Sequence, residues 1–148
     1  MNNKANAPSL PPQLEPVAEV LEWEHFPCRM AGNNVLLTDW PKGLVAFEAV
    51  EGRNEVFVSG RWAPMLSLEL YGNALEVCNG WNISRTLPKA FIVPPIEEGT
   101  GECGMYGGMV FTLSSSGANN HDTIMSALNA MNELFDYYTE HLPNAGTT

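Results

Sequence analysis

The stretch Asn79-Gly80-Trp81-Asn82-Ile83-Ser84-Arg85-Thr86-Leu87-Pro88-Lys89-Ala90-Phe91 concentrates two asparagines, a tryptophan, an arginine and a proline in one corner of the chain. Before it, Leu68, Tyr71, Leu75 and Cys78 recur at steps of three and four, one face of a helix over about 64–80. After it, Lys89–Val93 is a short run closed by Pro94-Pro95, the pattern of a strand. The corner therefore joins a helix to a strand. Gly80 tolerates the left-handed conformation that ends helices, and Pro88 holds Leu87 extended. Asn79 and Asn82 carry amides able to satisfy backbone groups left loose at such a junction. Trp81 is large enough to plug the gap between helix and sheet. Read this way, Asn79, Gly80 and Pro88 belong to a structural clasp. The alternative reading is a small-molecule pocket near Trp81, Asn82 and Arg85, with the indole as a stacking wall and the guanidinium clamping a carboxylate or phosphate.

Toward the N-terminus, three β-like runs, Val35–Thr38, Leu44–Val50 and Glu55–Ser59, are separated by the turn-forming segments Asp39-Trp40-Pro41-Lys42-Gly43 and Glu51-Gly52-Arg53-Asn54. Short turns make antiparallel neighbours, so this is a meander. Gly60-Arg61-Trp62-Ala63-Pro64 reads as its end and as the opening of the middle helix, with Pro64 near the first helical position. Leu14, Val17, Ala18 and Leu21 form one face of a helix over about 12–23, leaving Glu15, Glu19 and Glu22 to water. Residues 1–11 are polar and small, as in a flexible arm.

Toward the C-terminus, residues 96–104 are a polar, Gly-rich loop. Met105–Ser114 follows as a strand pairing with Lys89–Val93, with Gly107-Gly108 marking a bulge or bend. Asn120 is suited to cap a last helix. Its stripe is Ile124, Leu128, Met131, Phe135, Tyr138 and Leu142, and it stops at Pro143. Residues 144–148 read as a frayed tail. The order α-β-β-β-α-β-β-α describes one α+β domain over 12–143.

The formal net charge is −10, from 17 acidic and 7 basic residues. Such a surface disfavours nucleic acid and anionic membranes, and favours a basic or amphipathic protein segment as partner. The three cysteines, Cys28, Cys78 and Cys103, are odd in number and lack a CxxC, which points to reduced thiols and a cytoplasmic location. No apolar run approaches the roughly 20 residues of a membrane span.

No catalytic set emerges. His25 and Cys28 stand three apart without the further ligands that zinc requires, so no metal is assigned. Ser114-Ser115-Ser116-Gly117 lacks the Gly-x-Ser-x-Gly pattern. Gly101–Gly108 matches neither dinucleotide nor phosphate-loop spacing. Glu97-Glu98 and Glu102 read as solvated loop acids. The expectation is a non-enzymatic protein with no cofactor. Trp23, Trp40, Trp62 and Trp81 all lie at element boundaries, where an indole is either a plug or a half-exposed binding anchor.

Asn79-Gly80-Trp81-Asn82, with Arg85 and Pro88-Lys89-Ala90 following, resembles the YbjN-type family, small bacterial proteins described as sensory transduction regulators. The resemblance extends over about 14–143, through Trp62-Ala63-Pro64 and the ending Leu142-Pro143. It implies a fold like the type III secretion chaperones: a curved antiparallel sheet with helices against it, often homodimeric. It also implies protein binding or regulation and carries over no catalytic residues. A purely structural dimer subunit is the remaining alternative.

Overall fold

The computed structural model describes residues 10–93, 101–143 and 145. The strands β1 (Cys28–Ala31), β2 (Val35–Trp40), β3 (Gly43–Ala49), β4 (Glu55–Ser67), β5 (Lys89–Val93) and β6 (Glu102–Thr112) form one antiparallel sheet, in the spatial order β1-β2-β3-β4-β6-β5. The helices α1 (Glu15–Trp23), α2 (Tyr71–Ser84) and α3 (Asn120–His141) complete an α+β fold. The arm expected over 1–11 and the tail over 144–148 lie largely outside the described residues, as do 96–100 of the expected Gly-rich loop, whereas its last residues, Glu102–Gly104, are the start of β6.

The last helix forms where its apolar period places it. Ile124, Leu128, Met131, Phe135, Tyr138 and Leu142 are all buried. They pack on the sheet face made by Val45, Phe47, Val56, Val58, Trp62, Met105 and Phe111. Leu14, Val17 and Leu21 of the first helical segment join the same core, and Glu15, Glu19 and Glu22 face water. Helix and sheet approach closely because the sheet backbone is bare beneath α3. A Cβ on Gly60 would lie 2.5 Å from Met131 Sδ, and one on Gly107 would lie 2.9 Å from the same sulfur. Gly107 and Gly108 thus do not mark a bulge: both pair in regular register, with Gly60 and Ser59 respectively.

The structure departs from the sequence reading at four further places. A strand at Cys28–Ala31 precedes the meander and pairs with β2, so the order is α-β-β-β-β-α-β-β-α. The strand expected to stop at Ser59 continues to Ser67, because Gly60, Trp62 and Leu66 keep presenting an inward face. Its register against β6 shifts between Arg61 and Met65, and that irregularity accommodates Pro64 inside a strand. The middle helix consequently begins at Tyr71, and its buried stripe is Ala74, Cys78 and Trp81, with Leu68 and Leu75 exposed. At α3, Asn119 precedes the first turn in left-handed conformation. The Asn120 side chain instead pins Ser114, accepting from its N–H at 2.9 Å and donating to its carbonyl at 3.3 Å.

Candidate functional site

The corner after α2 is built by side chains that finish backbone hydrogen bonding. Gly80 does not terminate the helix, which continues to Ser84 and stops where Arg85 turns extended. Gly80 instead lets α2 meet α3: a Cβ there would lie 2.9 Å from Tyr137 Oη. Asn79 faces water within α2. Trp81 is 1% exposed, stands edge-on to Tyr137, and donates its indole N–H to the carbonyl of buried Pro88 at 2.7 Å. The Leu87–Pro88 peptide is cis.

Asn82 spans from α2 to β5. Its Nδ2 donates to Ala90 O at 2.9 Å, and its Oδ1 accepts from Ala90 N–H at 2.8 Å. One amide thus satisfies both backbone groups on the free side of an edge strand, which would otherwise offer pairing to another chain. The Asn82→Ala variant leaves both unpaired and is expected to lose about 2 kcal/mol, or roughly 4–8 °C in Tm. Unchanged thermal melting would rule out this fastening role. Of the three residues considered for a pocket, Trp81 and Asn82 have therefore committed their polar groups to the fold. Arg85 remains half-exposed, its guanidinium 4.9 Å from the Trp81 ring centroid and its Nη1 2.9 Å from Glu133 Oε2.

Behind the corner, the Tyr138 hydroxyl donates to Tyr106 O at 2.6 Å, and Cys78 Sγ lies 4.0 Å from it. Burial pushes both the Tyr138 hydroxyl and the Cys78 thiol up, the wrong direction for a nucleophile. Burial likewise raises Cys103. All three cysteines are free, Cys28 alone being exposed.

The feature that sequence reasoning missed is the outer face of the sheet. Strand register lines up three rows there. Ala31, Val35, Glu48, Phe57 and Val110 form one, Arg29, Leu37, Ala46, Ser59, Gly108 and Lys89 the next, and Asp39, Leu44, Arg61, Tyr106 and Phe91 the third. Phe91 stacks on Tyr106 with ring centroids 5.6 Å apart. Phe57 and Phe91 both lean over Gly108, where a Cβ would lie 3.3 and 3.4 Å from their rings. Phe57, Phe91 and Val110 stay exposed, and no described element covers them. The available signal was the second set of alternate positions in β3, β4 and β6, where Leu44, Phe57, Tyr106 and Val110 stand among charged residues.

The tryptophans divide by environment. Trp81 and Trp62 are buried, Trp62 donating to Thr139 Oγ1 at 3.2 Å. Trp40 packs against Phe26, with ring centroids 5.2 Å apart. Trp23, at the end of α1, is 76% exposed.

No helix among the described residues is long and apolar enough to cross a membrane. No family model matches the sequence, and no curated protein matches it. Among solved structures, the chain is similar to one described as "Crystal structure of YbjN, a putative transcription regulator from E. coli", with a TM-score of 0.63 and 10% sequence identity, over 87% of this chain and 93% of that one. At that identity the likeness is one of fold, and this chain has an α+β fold like that of YbjN.

Proposed function

We propose that the chain is a non-enzymatic regulatory module of the YbjN type that works in the cytoplasm by binding other protein chains. The observation that carries this reading is the uncovered outer face of the sheet, with Phe57, Phe91, Tyr106 and Val110 on adjacent strands around Gly108. Monomeric surfaces rarely leave such contiguous aromatic area to water. The similarity to a protein described as a transcription regulator supports a regulatory role, and three free cysteines suit a reducing compartment.

A second copy of the chain is the occupant that the charges favour for this face. The helices carry three acidic residues on α1, one on α2 and four on α3, and no Lys or Arg. The outer sheet face is closer to balance, mixing Arg29, Arg61 and Lys89 with Asp39, Glu48, Glu55 and Glu102. Two copies of a chain with net charge −10 repel least where that face meets its equivalent. An isologous dimer would bury both aromatic rows about one two-fold axis. Light scattering at tens of micromolar is expected to give a dimer mass, and Phe57→Glu a monomer with unchanged far-UV circular dichroism. A wild-type monomer at that concentration would refute the dimer.

A further inference from the structure

The acidic helix layer carries its own candidate contact, at Trp23. Helix α1 ends in a paired-bond turn: Phe26 N–H donates to Leu21 O at 2.8 Å and His25 N–H to Glu22 O at 3.1 Å, with His25 in left-handed conformation at φ 62°. This termination leaves Trp23 standing out from the surface. Glu19 and Trp23 lie four apart and Glu19 and Glu22 three apart, so all three share one face of the helix. Two open cavities flank the indole. One, of about 610 Å³, is lined by Glu19, Glu22, Trp23 and His25, and the other, of about 360 Å³, also includes Glu19 and Trp23.

The chain contains a filled counterpart of this arrangement. At the end of α2, Arg85 lies over the Trp81 ring and its guanidinium is held by Glu133. Around Trp23 the indole and the carboxylates are present and the arginine is not. Among the described residues, neither Glu19 nor Glu22 forms an ion pair. A cation placed there would meet the negative face of an indole, two carboxylates, and the negative end of the α1 dipole. A guanidinium suits this better than an ammonium, since it can stack on the ring while its edge bonds carboxylates.

We infer that Trp23, Glu19 and Glu22 form a docking point for an arginine side chain carried by a basic segment of a partner protein. This rests on the reading of the chain as a protein-binding module, but uses the face opposite the one assigned to self-association.

The probe is a blocked peptide of alternating leucine and arginine, compared with one in which neutral citrulline replaces each arginine. Binding is followed by the Trp23 indole N–H cross-peak, assigned through its loss in Trp23→Leu. The arginine peptide is expected to move that peak, and the citrulline peptide to bind roughly tenfold more weakly. Affinity is expected to fall as salt rises. Glu19→Gln combined with Glu22→Gln is expected to weaken binding roughly fivefold or more with Tm retained, and Phe57→Glu to leave it unchanged. Equal affinity for the two peptides would overturn the proposal, as would full affinity in the double glutamine variant. Binding lost in Phe57→Glu but kept in Trp23→Leu would also overturn it and would move the contact to the sheet face. A monomeric wild-type chain that still binds the arginine peptide at Trp23 would support the proposal while removing the dimer.

Discussion

Trp81→Ala is expected to destabilise the protein by about 4 kcal/mol, lowering Tm by roughly 8–16 °C. The indole is 1% exposed and sits where α2, α3 and the start of β5 converge, against Tyr137 and above Pro88. Alanine removes most of that volume and leaves a cavity that the surrounding helices can only partly close. It also strands the buried carbonyl of Pro88, whose bond from Trp81 Nε1 is 2.7 Å long. The two effects separate with Trp81→Phe, which restores much of the volume and none of the hydrogen bond. That variant is expected to lose about 1–3 kcal/mol, the cost of one buried acceptor left unpaired. Denaturant unfolding of both variants checks this. If Trp81→Phe is as damaging as Trp81→Ala, the hydrogen bond dominates; if it equals wild type, packing alone does.

Gly43→Ala is expected to cost about 3 kcal/mol or more, and Gly60→Ala only about 1–2 kcal/mol, although both glycines lie under α3. The difference is in what a new methyl would meet. At Gly60 the nearest atoms are Met131 Sδ and Cγ, at 2.5 and 2.6 Å, with Phe135 Cζ at 2.8 Å; all are side-chain atoms, and the thioether has several rotamers through which to withdraw. At Gly43 the methyl would overlap the carbonyl oxygen of Arg61, with Phe135 Cε2 at 2.8 Å behind it. That carbonyl belongs to β4, paired with β3 from Gly43↔Trp62 onward, and cannot move without opening the ladder. Urea titration of the two variants gives the ranking directly. Equal losses would mean that the β3–β4 ladder yields as readily as a methionine side chain.

The elements legible in the sequence were those whose apolar period matches their own geometry. The stripe from Ile124 to Leu142 is buried along its length, because a helical apolar period needs only an apolar surface beside it to be closed. Strand β1 was not legible: Cys28-Arg29-Met30-Ala31 is too short to establish a period, and it is a strand because β2 offers it an edge. Pro64 misled for a related reason. Proline near a helix start is the commoner case, and only the register shift between Arg61 and Met65 makes room for it within β4. With the helix start displaced, the expected stripe through Leu68 and Leu75 was displaced as well.

The corner was half legible. Its composition identified a junction, and Trp81 as the residue filling it. Asn82 was expected to satisfy backbone groups left loose at the helix-to-strand junction, and it does so on the strand side, at Ala90, eight residues on. A side-chain amide reads as a cap in sequence, and which backbone it caps depends on where the chain returns.

Local periodicity and composition alone specify an α+β domain, a long amphipathic last helix, a plugged helix-to-strand corner and a strongly negative net charge. It took the assembled fold to show that a second set of strand positions, part aromatic and part charged, is left uncovered by the described elements while acidic helices close the other face, and that Trp23 is the indole left outside. These follow from strand register and from the close approach of α3 over Gly43, Gly60 and Gly107. Such contacts join residues far apart in the chain, and no local pattern encodes which face they will close.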